Sequence, residues 1–507
     1  MRGSGALRTV VVAAAGAGLV LWAPHAATVA VPVAASPTGA AQPAAVVRSS
    51  PAPPTQVPVT AAELTCPGLG ASGTSGTPRT SGASGTSGTR STVLAATPPA
   101  GALPHGAGGA TGGVSLGPVG SSAAQVRLKR RGAVWSEAVA GASVVRASGS
   151  LAAGVVAAER IRLTGQARAE MGMTCGRAAT SSWLVGGGAQ AGRSERVLLV
   201  NPGAVAASVD VTVLGTKGPV SSANGHGIVV APRSRRVVAL DGIAGSEPGP
   251  VVHVRSFGSG VAAVLIDGWL DGLVPRGADA TGPTAAPARE QVVPGVTIDG
   301  AASVRIAAPG PDAASVQVRV LTSAGPKAVP SNARFRLAGG ATRDLDLSAL
   351  PPGAYAVQVR STVPVVVGAV VERHDSRTHP SRDTEFAWSA ASVPIRDLAG
   401  MALGAKGAAP PTASLSLAAV GVPARVTVTT VSRAGTAKSA SVQVPADSVA
   451  VRPLAGAVSV WVTARTGQVR AAVVATASDA HGPLVTISPL ADLPLTTPSV
   501  VLRAVGG

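Results

Sequence analysis

Residues 207–214 read ASVDVTVL, residues 314–321 read ASVQVRVL and residues 424–431 read ARVTVTTV. Each sets Ala or Val at alternate positions, save Thr430 in the third, which is the period of a strand with one buried face. The three segments stand about 105 residues apart, and a recurrence of that length marks a module used repeatedly. A second alternating segment trails each copy: VVHVRS at 251–256, VQVRS at 357–361 and VWVTA at 460–464.

Around the first copy seven candidate strands can be counted: 183–185, 196–201, 208–214, 227–231, 236–240, 251–256 and 261–267. Gly, Pro, Asn or Ser clusters separate them. About seven short strands in about 100 residues is the strand count of an immunoglobulin-like sandwich. The expected fold is therefore all-β, with tandem immunoglobulin-like β-sandwich repeats over 176–285, 286–390 and 391–507. The alternative is a closed β-propeller to which each repeat supplies two blades. Asn201-Pro202-Gly203 closes the second strand, Pro fixing φ and Gly permitting a positive φ. Ala308-Pro309-Gly310 holds that place in the second copy, and VGVP at 420–423 is its weaker counterpart in the third.

Composition points the same way. Hydrophobic residues make up 46% of the 507-residue chain but aromatics only 2%, so its cores are aliphatic and Val-rich. With 63 Gly and 41 Pro, turns punctuate the whole length. The net charge of +18 comes almost entirely from Arg. These cations are scattered and stacking aromatics are scarce, which argues against a nucleic-acid partner. The one dense basic run, RLKRR at 127–131, reads as a solvated strand end.

Arg2 and Arg8 precede an apolar run over residues 10–23, followed by the small-residue steps Thr28-Val29-Ala30 and Val33-Ala34-Ala35. That is the pattern of a secretory signal peptide over 1–35, or of an N-terminal membrane anchor if it is left uncut. Pro24 and His25 leave the run short of the roughly 20 residues a spanning helix needs. Residues 36–60 read as a Pro/Ala-rich linker. Residues 61–175 read as an N-terminal β unit with a low-complexity insertion at 70–90. The two cysteines, Cys66 and Cys175, favour a disulfide in an exported chain, with two buried thiols as the rival reading.

Several pieces resemble an uncharacterised family of secreted actinobacterial proteins known only as a domain of unknown function. They are Cys66-Pro67-Gly68, then Cys175 followed by Trp183-Leu184-Val185-Gly186-Gly187-Gly188, then Leu198-Leu199-Val200-Asn201-Pro202-Gly203. A Val-x-Ala-Glu-Arg strand common in bacterial surface modules is echoed at residues 367–373. A single Trp183 stands where a Trp pair is more usual. The resemblance implies an envelope protein and brings no active site with it.

The chemistry-bearing residues are few. The busiest polar stretch, ERHDSRTHPSRD at 372–383, holds His374, Asp375, Ser376, His379, Ser381 and Asp383. Neighbouring His and Asp in a Pro-containing connector read as an inter-domain loop rather than a triad. Asp267 and Asp271 lack the ligand spacing of a calcium loop and read as a strand end and turn. Gly186, Gly187 and Gly188 precede no Lys-Ser/Thr, so they read as a hairpin or bulge rather than a phosphate loop. Trp183 and Trp269 read as packing residues rather than a sugar platform. No catalytic, cofactor or metal site is expected. The chain is expected to be a non-enzymatic, extracytoplasmic envelope protein. Anionic wall polymer or other envelope proteins are its expected partners, and only its N-terminal segment would meet a membrane. The rivals are a hydrolase acting on wall material and an accessory subunit of a membrane glycosyltransferase or exporter.

Overall fold

The second sandwich shows how the alternating segments become a fold. Its outer sheet runs Ser181–Val185, Val251–Gly258, Ala207–Gly215 and Gly218–Val220, with Ile228–Val230 also paired to Ala207–Gly215. Its inner sheet runs Ser234–Ala239, Arg193–Asn201, Ala262–Asp271 and Val274–Thr281. Every pairing is antiparallel. The pleat sends Val209, Val211, Val213, Val252 and Val254 inward to meet Val197, Leu199, Ala263 and Leu265 of the other sheet. Burying each such side chain contributes about 1.5–3 kcal/mol, and β-branched Val fits the pleated surface.

This structure is a computed structural model that describes residues 55–499, apart from 71–90, 105–108, 122–123, 166–167, 331–332, 375–383 and 405–411. The predicted signal peptide, most of the linker, nearly all of the low-complexity insertion and the polar stretch after His374 lie outside the described residues. Among the described residues the strands build four sandwiches rather than three, since the N-terminal β unit is folded on the same plan. Within each sandwich the chain switches repeatedly between the two sheets, as from Ser181–Val185 to Arg193–Asn201 to Ala207–Gly215. Propeller blades are contiguous meanders, so the interleaving favours the sandwich reading. In the third sandwich the two expected segments at 357–361 and 367–373 belong to one strand, Gly353–His374. It pairs with Ala288–Ile298 up to Val365, then with Ala302–Ala307 from Val366, crossing between sheets just after Pro364, which has no N–H to give.

The sandwiches close on one another. Each inner sheet ends in a strand at the middle of the molecule: Ala169–Thr174, Val274–Thr281, Thr384–Ala390 and Gly482–Pro489. Each of these axial strands packs on the next, and the fourth returns to the first. The outer sheet of every sandwich packs on the inner sheet of the following one. Val119, Ala142 and Val144 meet Val200 and Ala262 at the first seam. Val185, Leu214 and Val251 meet Ala307, Val366 and Trp388 at the second. Val292, Leu321 and Ala356 meet Ala418 and Val449 at the third. Leu94, Ala96, Val156 and Ala158 of the first sandwich join the fourth sandwich's core at the last. Thr55–Pro58 pairs antiparallel with Thr496–Ser499 and clasps the two ends together.

Candidate functional site

The axial strands carry the polar chemistry. Each is the edge of its sheet, and an edge presents N–H and C=O groups that no ladder satisfies. Side chains of the neighbouring edge supply the partners. The Trp388 N–H donates to Asp279 Oδ2 at 2.6 Å, and the Ala278 N–H donates to Glu385 Oε1 at 3.2 Å. Two strands from different sandwiches thus lend each other a carboxylate. The Ser488 hydroxyl donates to the Gly172 carbonyl at 3.3 Å across the fourth and first strands. At the far end of the axis Arg168 donates to the Gly482 and Pro483 carbonyls and pairs with Asp479.

Burial tunes these acids. Asp279 is the direct cross-strand neighbour of Asp267, and both are fully buried. Asp267 takes two bonds from Arg193, at 2.8 and 2.6 Å, one from the Gly187 N–H at 3.0 Å and one from the Trp388 indole at 2.8 Å. That leaves Asp279 with a backbone donor but no cation. Burial, reinforced by the Asp267 charge, pushes its carboxyl up to about 8. Burial also drives Glu385 well above the ordinary range, with Asp279 adding to the effect. Asp279 Oδ1 and Glu385 Oε2 have no hydrogen-bond partner, so each has an oxygen free to hold the proton.

At one end the axial strands open around a cavity of about 440 Å³, within the range of roughly 300–1,000 Å³ usual for small-molecule sites. Met173, Cys175, Gly282, Trp388 and Ser488 line it, with Arg177 and Asp492 among the surrounding residues. The axial acids Asp267, Asp279 and Glu385 are not among its lining residues. Trp388 borders both, lining the cavity while its two N–H groups hold Asp267 and Asp279. The arrangement can receive a mainly apolar group, with Asp492 as the one carboxylate among the lining residues.

An arginine bridges every seam. Arg305, with a side chain only 4% exposed, donates from Nη1 to the Gly186, Gly187 and Pro250 carbonyls and grips Asp344 through Nε and Nη2. Arg235 donates to the Gly68 carbonyl at 2.7 Å, Arg160 to Leu403 at 3.0 Å and Arg470 to Ser392 at 3.2 Å. Glu159 is the buried acid of the first seam and accepts the Gly68 and Leu69 N–H groups and the Ser91 hydroxyl. Burial raises its pKa despite those bonds.

The sequence motifs fall at these joints. Cys66 and Cys175 form the disulfide, with Cα atoms 4.6 Å apart and 109 residues between them in sequence. It ties the first strand of the outer sheet to the end of the first axial strand, and Pro67-Gly68 passes from it into the first seam. Trp183 is half-buried and stacks on His253, their ring centroids 4.0 Å apart. Burial and then Arg255 lower His253 to about 4, keeping that ring neutral. Trp269 is half-buried too, its indole donating to the Ala191 carbonyl at 3.2 Å. Asn201 is fully buried and donates to the Val205, Val230 and Ala231 carbonyls while accepting from the Gly203 N–H, with Pro202 between them.

Three readings need correction. Gly203 does not use a positive φ, and an added Cβ there would lie 2.7 Å from Ser259 Oγ. Gly186, Gly187 and Gly188 form neither hairpin nor bulge but the exit from the Ser181–Val185 strand, with Gly187 at φ +84 against Glu195. Asp267 is not a strand end: the strand runs on to Asp271 and turns at Gly272, φ +63. Beyond that turn lies the axial strand Val274–Thr281, which alternation could not reveal. A recurrence did mark one buried acid: AAER at 157–160 repeats the Glu-Arg pair of VVER at 370–373.

A family of unknown function, DUF5719, matches residues 132–454, more than half of the chain. The chain belongs to DUF5719. The DUF5719 match runs from the first sandwich into the fourth and so spans three of the four seams. No curated protein matches this DUF5719 sequence. Among solved structures it is similar to Thermotoga maritima 1070 at 20% identity, over 19% of this chain and 90% of that one, with a TM-score of 0.17. It is also similar to a tetra-tandem repeat in the extending region of a large adhesion protein. That likeness has 16% identity over 76% and 92% of the two chains and a TM-score of 0.09. Among the described residues no helix is long and apolar enough to cross a membrane, and no group of three or more His, Cys, Asp or Glu is arranged to hold a metal.

Proposed function

We propose that this DUF5719 protein is an exported envelope protein that acts as a rigid structural or binding module rather than as an enzyme. One observation supports this most. The buried charged side chains lie at the joints between sandwiches, where Arg305, Arg193, Asp267, Glu385 and Arg168 bond backbone and partner charges of neighbouring elements. Such groups hold a scaffold together and leave the surface and the axial cavity for recognition. The disulfide fits an oxidising compartment, and the signal-like N-terminus fits the same address.

The strongly basic surface motivates a target: the anionic polymers of the cell wall. Binding of the purified protein to isolated wall should fall steeply as salt rises through physiological strength. Binding that ignores salt, or none, would remove the wall-polymer target. A screen for hydrolysis of wall material, with His374, His379 and Asp383 replaced by Ala as the control, tests the enzyme alternative. Turnover lost in that variant would overturn the scaffold reading. Pull-down from detergent-solubilised membranes tests the accessory-subunit alternative.

A further inference from the structure

The far edges of the four outer sheets differ in one respect. In the first sandwich the edge strand is Gln125–Leu128, four residues with Arg127 among them and Lys129, Arg130 and Arg131 following. In the second the edge is split into Gly218–Val220 and Ile228–Val230, and Pro219 interrupts it. In the third it is split into Gly325–Ala328 and Arg334–Leu337, with Pro326, Lys327, Arg334 and Arg336. Short length, Pro, Lys and Arg are the usual devices that stop an edge from pairing with a foreign strand.

The fourth sandwich lacks these devices. Its edge is one unbroken strand of eight residues, Ala437–Val444, AKSASVQV, with no Pro and a single Lys. It pairs along its whole length with Ala424–Ser432 and, among the described residues, has no strand on its other side. Val442 and Val444 anchor it in the core, while residues 437–441 are exposed on both faces. Ser and Ala there present nothing bulky to an approaching backbone.

We infer that Ala437–Val444 is a docking edge that accepts an extended, acidic strand from another protein by β-augmentation. The sign of the partner follows from the local charge. Neither this strand nor its sheet neighbours Ala424–Ser432 and Ala457–Thr466 carries an Asp or Glu, whereas Arg425, Lys438 and Arg465 are all exposed. A second copy of this chain would bring these cations, and two net charges of +18, against each other. An acidic strand would meet them favourably. Backbone hydrogen bonds would supply affinity, and the flanking cations the choice of partner.

The inference is separate from wall binding, since the probe contains no polymer and reads one strand. The full chain is titrated with a synthetic Glu-Val-Glu-Val-Glu-Val peptide and with its Lys-Val counterpart, and amide exchange is followed by mass spectrometry. The acidic peptide should bind and slow exchange within 437–444, and the basic one should not. The exposed pair Lys438→Glu and Ser441→Glu should weaken the acidic peptide roughly tenfold and let the basic one bind. Thermal unfolding of that variant should match the parent, which separates loss of docking from loss of fold. Protection elsewhere, equal binding of both peptides, or a dimer of the parent that the variant abolishes would overturn the proposal.

Discussion

Leu199 and Asp279 lie in the same sheet of the second sandwich and are both almost completely buried, yet they are held in opposite ways. Leu199 sits between the two sheets of its own sandwich among Val and Leu side chains, where attraction is non-directional and any well-filled packing serves. Asp279 sits where two sandwiches meet and is held by one specific N–H from the neighbouring strand. The sandwich interiors supply bulk stability. The seams supply register, because a displaced carboxylate or guanidinium leaves buried groups unpaired. The molecule thus separates how strongly it folds from how its parts are arranged.

Removing the disulfide tests the closure of the first sandwich and has the largest expected effect. In the chain-entropy account a loop of this length is worth about 4–5 kcal/mol, so Cys66→Ser with Cys175→Ser should lower the unfolding midpoint sharply. A seam variant comes next. Arg305→Ala strips partners from the Gly186, Gly187 and Pro250 carbonyls and from the half-exposed Asp344, at about 1–3 kcal/mol for each buried group left unpaired. Calorimetry should then show unfolding split into two transitions, because the second and third sandwiches are uncoupled. Leu199→Ala, by contrast, should cost about 2–5 kcal/mol and leave a single transition shifted down. A split for Leu199→Ala and none for Arg305→Ala would reverse the roles assigned to the two regions.

The last contrast is in pH dependence. The Asp279 carboxyl titrates at about 8 in the folded chain against an ordinary 3.8. The folded state therefore binds the proton more tightly, and that stability is complete below about 4 and is lost as pH rises through about 8. Glu385 acts in the same direction. His253 acts oppositely: lowered to about 4 from 6.5, it costs stability as pH falls through that interval. Thermal midpoints should fall as pH rises from about 4 to about 8, and Asp279→Asn, which mimics the neutral acid, should flatten that decline. An unchanged decline between about pH 4 and 8 in Asp279→Asn would remove the neutral acid from the axis.

What could be read from the chain follows the same division. The Val-rich strands announced themselves because a strand with one apolar face must alternate, as 207–214 does. VPRGADAT at 274–281 gave no such signal, because it is an edge strand whose surroundings are other sandwiches and a polar axis. The disulfide pair and the Asn201 turn were legible from composition and local chemistry. The cavity and the Arg305 and Asp279 contacts were not, since most of them join residues more than fifty positions apart whose types suit a solvent-facing surface equally well.

The pairing of Thr55–Pro58 with Thr496–Ser499 has a kinetic corollary. Three seams can assemble in order as successive segments emerge, but the last needs partners from the two extremes of the described chain. The entropy of bringing distant segments together grows slowly with length, yet it must be met before the reward arrives. A half-made ring would therefore wait with one apolar flank bare, at Leu94, Ala96, Val156 and Ala158, until the final strands arrived to cover it.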